Sequence, residues 1–231
     1  MNKELFTLLK KVDTPTVSNA IEVARGHRGY NNFTKGTMFC SDIKACPIVG
    51  FAKTASIAAS EAPQESSEII KERRMNYYQH MSEDPKPSIA VVEDVDYPNC
   101  IGAFWGEVNT NVHKSLGVSG SLTNGVMRDL GDLPDGFPVI AGSIGPSHMF
   151  THVKSIGKGA KIFGMDVSEG SLVHADQHGA IVIPDDVIPN LYSAINTLLK
   201  TEKLIIEPSK KGPMSFEEFK KAWSKFENSR T

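Results

Sequence analysis

Glu107, Arg128 and Asp129 are the side chains whose types and spacing best fit catalysis. A carboxylate, Glu107, stands where an apolar run (101–104) meets a helix-like run, and twenty residues separate it from an adjacent Arg-Asp pair. Asp129 is a hard oxygen ligand suited to Mg²⁺ or Mn²⁺, ions that keep several waters and need only one or two protein carboxylates. Arg128 offers a bidentate, charge-assisted clamp for an anion. Glu107 suits orienting a catalytic water or transferring a proton. Gly106, Glu107, Val108 and Asn109 open the helix. Its free backbone N–H groups and positive dipole end make a carboxylate or phosphate site, and Gly106 permits close approach. The same residues also fit an ordinary helix start beside a surface Arg-Asp ion pair, and spacing alone leaves both readings open.

The surrounding chain must bring these groups together. Val108, Val112 and Leu116 recur on one helical face, and Gly117 ends that helix. Residues 118–123 read as a strand that Asn124-Gly125 turns. Strand, helix and strand with short joints form a βαβ unit with parallel strands. Ligands collect where such strands end, so Glu107 and the Arg128-Asp129 pair are expected at one sheet edge.

Upstream, residues 2–11 read as an amphipathic helix. Thr14 as cap and Pro15 at the first position predict a second helix over 15–24. Residues 26–36 read as a loop, 47–59 and 89–92 as strands, and 66–81 as a helix on which Lys71, Arg73 and Arg74 form a solvated basic face. Downstream, strands are expected at 137–141, 172–174 and 180–183, the last two joined by a turn over 175–179. A long helix begins at Asp185 or Asp186 and runs to about 206, and 208–213 is a linker. Ser215 and Glu218 form a capping box for a last helix reaching 226. The pattern is α/β: one domain over 1–207, then a linker and C-terminal helix over 208–231 that packs on the domain or on a neighbouring subunit.

Composition removes several classes. With 231 residues, 40% hydrophobic and 23% charged, the chain can build one sizeable core. A net charge of −2 with dispersed Lys and Arg gives no stripe for nucleic acid. No apolar run approaches a membrane helix, and the N-terminus does not read as a secretory signal, so a cytoplasmic location is expected. Cys40, Cys46 and Cys100 show no CxxC spacing and no partner in sequence, and read as inert. The His148/His152 and His174/His178 pairs fall outside helices, where i and i+4 need not face each other. His148 fits either a substrate contact or a structural hydrogen bond, and Asp176 fits organising its own turn.

The stretch GEVNTNVHKSLGVSGSLTNGVMRD, with its acidic residue, twenty intervening positions and Arg-Asp, resembles the signature of the ribonuclease E activity regulator A-like family. That family includes 4-hydroxy-4-methyl-2-oxoglutarate/4-carboxy-4-hydroxy-2-oxoadipate aldolases, class II pyruvate aldolases that also decarboxylate oxaloacetate. DTPTV at 13–17, FPVIAG at 137–142, and ADQHG at 175–179 with Pro184 are similar as well, so the resemblance covers most of residues 12–200. It implies a compact α/β/β domain resembling a phosphohistidine swivelling domain, with flanking N- and C-terminal helices. It also implies homotrimers or homohexamers with sites between subunits. By resemblance, Asp129 binds Mg²⁺ or Mn²⁺, Arg128 binds substrate, the backbone of Gly106, Glu107, Val108 and Asn109 cradles the substrate carboxylate, and Glu107 holds a catalytic water. The implied reaction is metal-dependent carbon–carbon cleavage of a small 2-oxo acid through a pyruvate enolate, without a lysine Schiff base. The family also implies an alternative, a non-catalytic regulator that binds a ribonuclease. Glu107 stands where these aldolases most often have Asp, Val108 and Asn109 replace apolar residues, and the segment 62–87 is longer.

Overall fold

The computed structural model describes residues 2–228. Its first elements are α1 (Lys3–Leu9), α2 (Thr14–Arg25), β1 (Phe39–Cys40), β2 (Ile48–Ala58), α3 (Ser67–Ser82) and β3 (Ser88–Asp94). The central stretch supplies β4 (Ala103–Trp105), α4 (Glu107–Ser115), β5 (Val118–Thr123), β6 (Val126–Met127), β7 (Val139–Ala141) and β8 (Ser143–Ile144). Then come β9 (His152–Ile156), β10 (Ala160–Ile162), β11 (Met165–Val167), β12 (Leu172–Asp176), β13 (Gly179–Ile183), α5 (Ile188–Ser209) and α6 (Phe216–Asn228).

The main sheet runs β1-β7-β5-β3-β2-β12-β13, with β9 also paired to β2. Strands β2, β3, β5 and β7 are parallel, and β1, β9, β12 and β13 join antiparallel. The long β2 is almost wholly buried, as expected of a strand covered on both sides. Val17 and Ile21 of α2 and Leu191 and Ile195 of α5 pack with Val49 and Ile183 of the sheet. Ile48, Ala52, Ile89, Val91, Leu122 and Ile140 form a second cluster with Ile162 and Met165 of the β10–β11 hairpin. Tyr77 and Met81 of α3 meet Trp105, Met127 and Phe137 in a third. This is the α/β architecture with flanking N- and C-terminal helices that the sequence implies.

Three local expectations change. Asp13, not Thr14, caps α2: its carboxylate accepts the Thr16 N–H at 2.9 Å. Thr14 is buried and committed elsewhere, its N–H donating to Asp176 Oδ2 (2.8 Å) and its hydroxyl 3.0 Å from His174 Nδ1. α5 continues through Pro208 to Ser209, so the linker begins at Lys210. Pro208 lies in the last turn of that helix. α6 packs on α5 and buries Ala222 and Phe226. Its capping box forms, Glu218 Oε2 accepting the Ser215 N–H (2.8 Å) and Ser215 Oγ accepting the Glu218 N–H (3.3 Å). Of the expected 1–207 and 208–231 segments, Met1 and residues 229–231 lie outside the described residues.

The third change bears on the site. β4 does not pair with β5. It lies parallel to β6, and β6 lies parallel to β8, in a small sheet of their own. Asn124 is the reason. Its amide clasps the end of β3, accepting the Asp94 N–H (2.7 Å) and donating to the Asp94 carbonyl (3.0 Å). β5 is thereby held in the main sheet to its last residue. The chain then breaks at Gly125, whose carbonyl accepts the Gly142 and Ser143 N–H groups, and enters the second sheet as β6.

Candidate functional site

Because β4 and β6 are parallel, the residues that follow them emerge at one edge. The Arg128 N–H donates to the Trp105 carbonyl at 2.8 Å and fixes the register of the two exits. Glu107 begins α4 with Gly106 as its N-cap. Gly106 has no side chain to cap the helix, and Asp129 does so from across the gap: its Oδ2 accepts the Glu107 N–H at 3.1 Å. The Arg128 Nε lies 3.4 Å from that same oxygen. The structure therefore brings Gly106, Glu107, Arg128 and Asp129 together.

Two backbone features make this possible. Asp129 sits at φ 56°, in the left-handed region that an Asp tolerates better than most residues. A Cβ on Gly106 would lie 2.5 Å from Asp129 Oδ2, 3.0 Å from Arg128 Cγ and 3.1 Å from Arg128 Nε. The glycine is required by proximity, since its own φ of −156° is extended and open to any residue.

The predicted backbone cradle is narrowed. The Glu107 N–H is taken by Asp129, and the Thr110 N–H bonds the Gly106 carbonyl at 3.0 Å. That leaves Val108 and Asn109 to supply first-turn donors to a ligand. Asn109 is held from three sides. Tyr78 Oη donates to its Oδ1 (3.0 Å), its Nδ2 donates to the Phe104 carbonyl (2.9 Å), and its carbonyl lies 2.7 Å from His113 Nδ1. A carbonyl can only accept, so His113 carries its proton on Nδ1, and Nε2 accepts from the Tyr77 hydroxyl at 2.6 Å. Burial pushes the His113 pKa down to about 4, which keeps this ring on the buried face of α4 neutral.

A cavity of about 500 Å³ opens beside this edge. Gly106, Val108, Asn109 and Arg128 line it, while Glu107 and Asp129 do not. Arg74 and Tyr78 of α3, together with Phe104, His148 and Phe150, form other walls. Arg74 is exposed, as expected of a solvated face, and also lines the cavity wall. Ile70, Arg74 and Tyr78 follow one another at i, i+4 and i+8, the signal that marks this wall in the sequence. Arg73 turns away, bonding the Val153 carbonyl (3.1 Å) and Glu65 (2.9 Å). His148 reaches the cavity wall with Nδ1 2.7 Å from the Met149 carbonyl, so the structural bond and the cavity position coexist. His174 is buried between the Thr14 hydroxyl and the Leu9 carbonyl, and Asp176 organises its turn by accepting the His178 N–H at 2.8 Å. Cys40 and Cys46 are not isolated: their sulfurs lie 3.3 Å apart.

Among the described residues there is no group of three or more His, Cys, Asp or Glu able to enclose a metal. Asp129 presents one carboxylate, its Oδ1 making none of the contacts made by Oδ2, and the Glu107 side chain beside it is exposed. This donor set fits Mg²⁺ or Mn²⁺ held largely by water and substrate. It does not fit a metal enclosed by protein side chains.

Residues 14–182 match the model of the RraA-like family, Aldolase/RraA. No curated protein sequence matches the chain. An uncharacterized protein from Pseudomonas syringae pv. tomato str. DC3000 is similar in structure, with TM-score 0.67 and 18% identity over 100% of this chain and 94% of that one. A structure of novel cellulases from microbes associated with the gut ecosystem gives TM-score 0.70 and 18% identity over 88% and 87%. Streptomyces coelicolor RraAS2, an unusual member of the RNase ES inhibitor RraA protein family, gives TM-score 0.64 and 18% identity over 91% and 97%. At such identities the likeness establishes the fold.

Proposed function

This chain belongs to the RraA-like, Aldolase/RraA family, and from that membership and the site geometry we propose that it is a divalent-metal-dependent carbon–carbon lyase. It is of the class II pyruvate aldolase or oxaloacetate decarboxylase type and acts on a small 2-oxo acid. One observation carries the proposal: Asp129 Oδ2 caps Glu107 and lies beside Arg128 Nε, both packed against a glycine that has no room for a side chain.

Asp129, with Glu107 nearby, would hold Mg²⁺ or Mn²⁺, which would supply Lewis-acid stabilisation of negative charge on the keto oxygen. The Val108 and Asn109 N–H groups bind the substrate carboxylate at the positive end of α4. Arg128 orients the 2-oxo group and stabilises its charge as the scissile bond breaks. In oxaloacetate that bond joins C3 to C4: CO₂ leaves, the electron pair stays on C3 as pyruvate enolate, and a water held near Glu107 delivers the proton. In an aldol substrate the same pair is left behind when the carbonyl product departs and the alcohol proton passes to that water.

A homotrimer or homohexamer with the site between subunits, the assembly the family resemblance implies, is part of the proposal, and exposed Val108, Leu130, Ile144 and Phe150 are available for such contacts. No helix among the described residues is long and apolar enough to cross a membrane, and a cytoplasmic location is part of the proposal.

Pyruvate release from oxaloacetate and from 4-hydroxy-4-methyl-2-oxoglutarate, with Mg²⁺ or Mn²⁺, tests it. Metal-dependent turnover is expected, with Asp129→Ala abolishing it. Arg128→Ala should lower kcat/KM by about 10- to 100-fold, the worth of one charge-assisted hydrogen bond. Absence of turnover and of pyruvate binding would overturn the lyase in favour of the non-catalytic regulator. Full turnover in Arg128→Ala would reject the clamp.

A further inference from the structure

Cys40 ends the edge strand β1, and Cys46 immediately precedes Pro47 and β2. A 3-10 turn over Ile43–Ala45, capped by Asp42, folds the five intervening residues back. That turn brings the two sulfurs to 3.3 Å, with both cysteines packed against the core cluster that includes Ile48 and Ile140. Both cysteines are half-buried, and Cys46 lines an open cavity of about 290 Å³ together with Lys10, Lys11, Asp176 and His178. Nothing in the lyase chemistry uses them.

We infer that Cys40 and Cys46 form a reversible oxidation site, at which peroxide-class oxidants join the two thiols in a disulfide tying β1 to the start of β2. The contact needs to close from 3.3 Å to about 2.05 Å to become a disulfide. The pair is also chemically unequal. The Cys46 thiol donates toward Cys40 and the Asp42 backbone N–H adds a second donor, so the Cys40 pKa is lowered despite burial. The Cys46 pKa is pushed up, first by donating to Cys40 and then by burial.

Cys40 therefore attacks first. Its thiolate sulfur bonds to a peroxide oxygen, the O–O bond breaks, and the leaving oxygen takes a proton to become water or an alcohol. Cys46 then attacks the Cys40 sulfenic acid. The S–S bond forms, the S–O bond breaks, and hydroxide leaves with the Cys46 proton as water. Two thiols are oxidised by two electrons and one peroxide is reduced. A thiol reductant reverses the step.

The intact protein is treated with hydrogen peroxide, its thiols are counted, and it is mapped by mass spectrometry with and without dithiothreitol. The expected product has lost two of its three thiols. It is lighter by two hydrogens, contains a Cys40–Cys46 linked peptide and returns to the starting mass on reduction. Cys100 is the internal control, its pKa raised to about 12 by burial and by Asp94, so Cys100→Ser should react like the parent. Cys46→Ser should leave a Cys40 sulfenic acid that dimedone traps, and Cys40→Ser should slow thiol loss at Cys46 by at least about tenfold. Three titratable thiols after excess peroxide would overturn the inference. So would a product linked between chains, or Cys46 reacting at the parent rate in Cys40→Ser. None of these readouts depends on turnover of a 2-oxo acid.

Discussion

Replacing Gly106 with alanine should leave the fold standing and disable the site. The backbone at φ −156° accepts any residue, and losing a glycine narrows the unfolded chain, a gain of about 0.4–1 kcal/mol. The new Cβ, however, would lie 2.5 Å from Asp129 Oδ2 and 3.0 Å from Arg128 Cγ. Ordinary contact begins near 3.5 Å, so the Asp129 carboxylate must withdraw by about 1 Å. Withdrawal breaks the 3.1 Å bond to the Glu107 N–H, and losing a helix cap costs about 1 kcal/mol. These two contributions nearly cancel, so the melting temperature should stay close to that of the parent. Activity should not. A 1 Å displacement of a positioned group costs about 100-fold, or about 2.7 kcal/mol of transition-state stabilisation. Thermal melts paired with kcat/KM for oxaloacetate under saturating Mg²⁺ check both halves. A kcat/KM within about threefold of the parent would refute the claim that Gly106 spaces Asp129 and Arg128. A melt that collapses together with activity would show a packing role instead.

Two stability predictions use polar networks away from the ligand, one buried and one partly exposed. Tyr77→Phe strands His113 Nε2, which lies buried 2.6 Å from the Tyr77 hydroxyl, and should cost about 1–3 kcal/mol in denaturant titration; an unchanged midpoint would count against the assigned tautomer. Glu169 is partly desolvated, which works against its charge, but His80 and the Thr54 hydroxyl and amide outweigh burial and hold its pKa at about 2. A carboxylate depressed below its usual 4.5 contributes stability that is complete above about pH 4.5 and lost as pH falls toward 2, an amount that solvent screening of the exposed Glu169 reduces. The gap in unfolding free energy between the parent and Glu169→Gln should therefore shrink between pH 6 and pH 3; a gap independent of pH would show that the ionised form is not what stabilises.

The meeting of Glu107 with Arg128 and Asp129 is legible in sequence for a reason that survives a mistaken strand. Residues 118–123 show a clear strand pattern, so they read as the partner of β4. The true partner, Val126–Met127, is two residues long and too short to show a period. Parallel return along either strand delivers Arg128 and Asp129 to the same edge. The role of Arg74 was harder to see. Lys71, Glu72, Arg73 and Met75 surround it, α3 buries only Tyr77 and Met81, and no strong apolar stripe marks which face looks inward. The Cys40–Cys46 contact is invisible because it depends on β1 pairing with β7 and on a single 3-10 turn, neither of which leaves a motif.

What sequence could not reveal about the site itself is how Asp129 divides its two oxygens. Read as a string, the Arg-Asp pair is either a surface ion pair or a ligand set. In the fold, Oδ2 is committed to the start of α4 and to Arg128. A carboxylate fixed through one oxygen keeps its other oxygen in a set direction, which is what the proposed water-rich Mg²⁺ or Mn²⁺ site would require of Asp129. The left-handed backbone at φ 56° and the bare Cα of Gly106 are the conditions for that fixation. Both are functions of what comes close in space, so a motif can preserve them without displaying their purpose. Glu107 gains its position from the same bond, because its N–H is the group that Asp129 holds. Its longer side chain then starts from an anchored backbone.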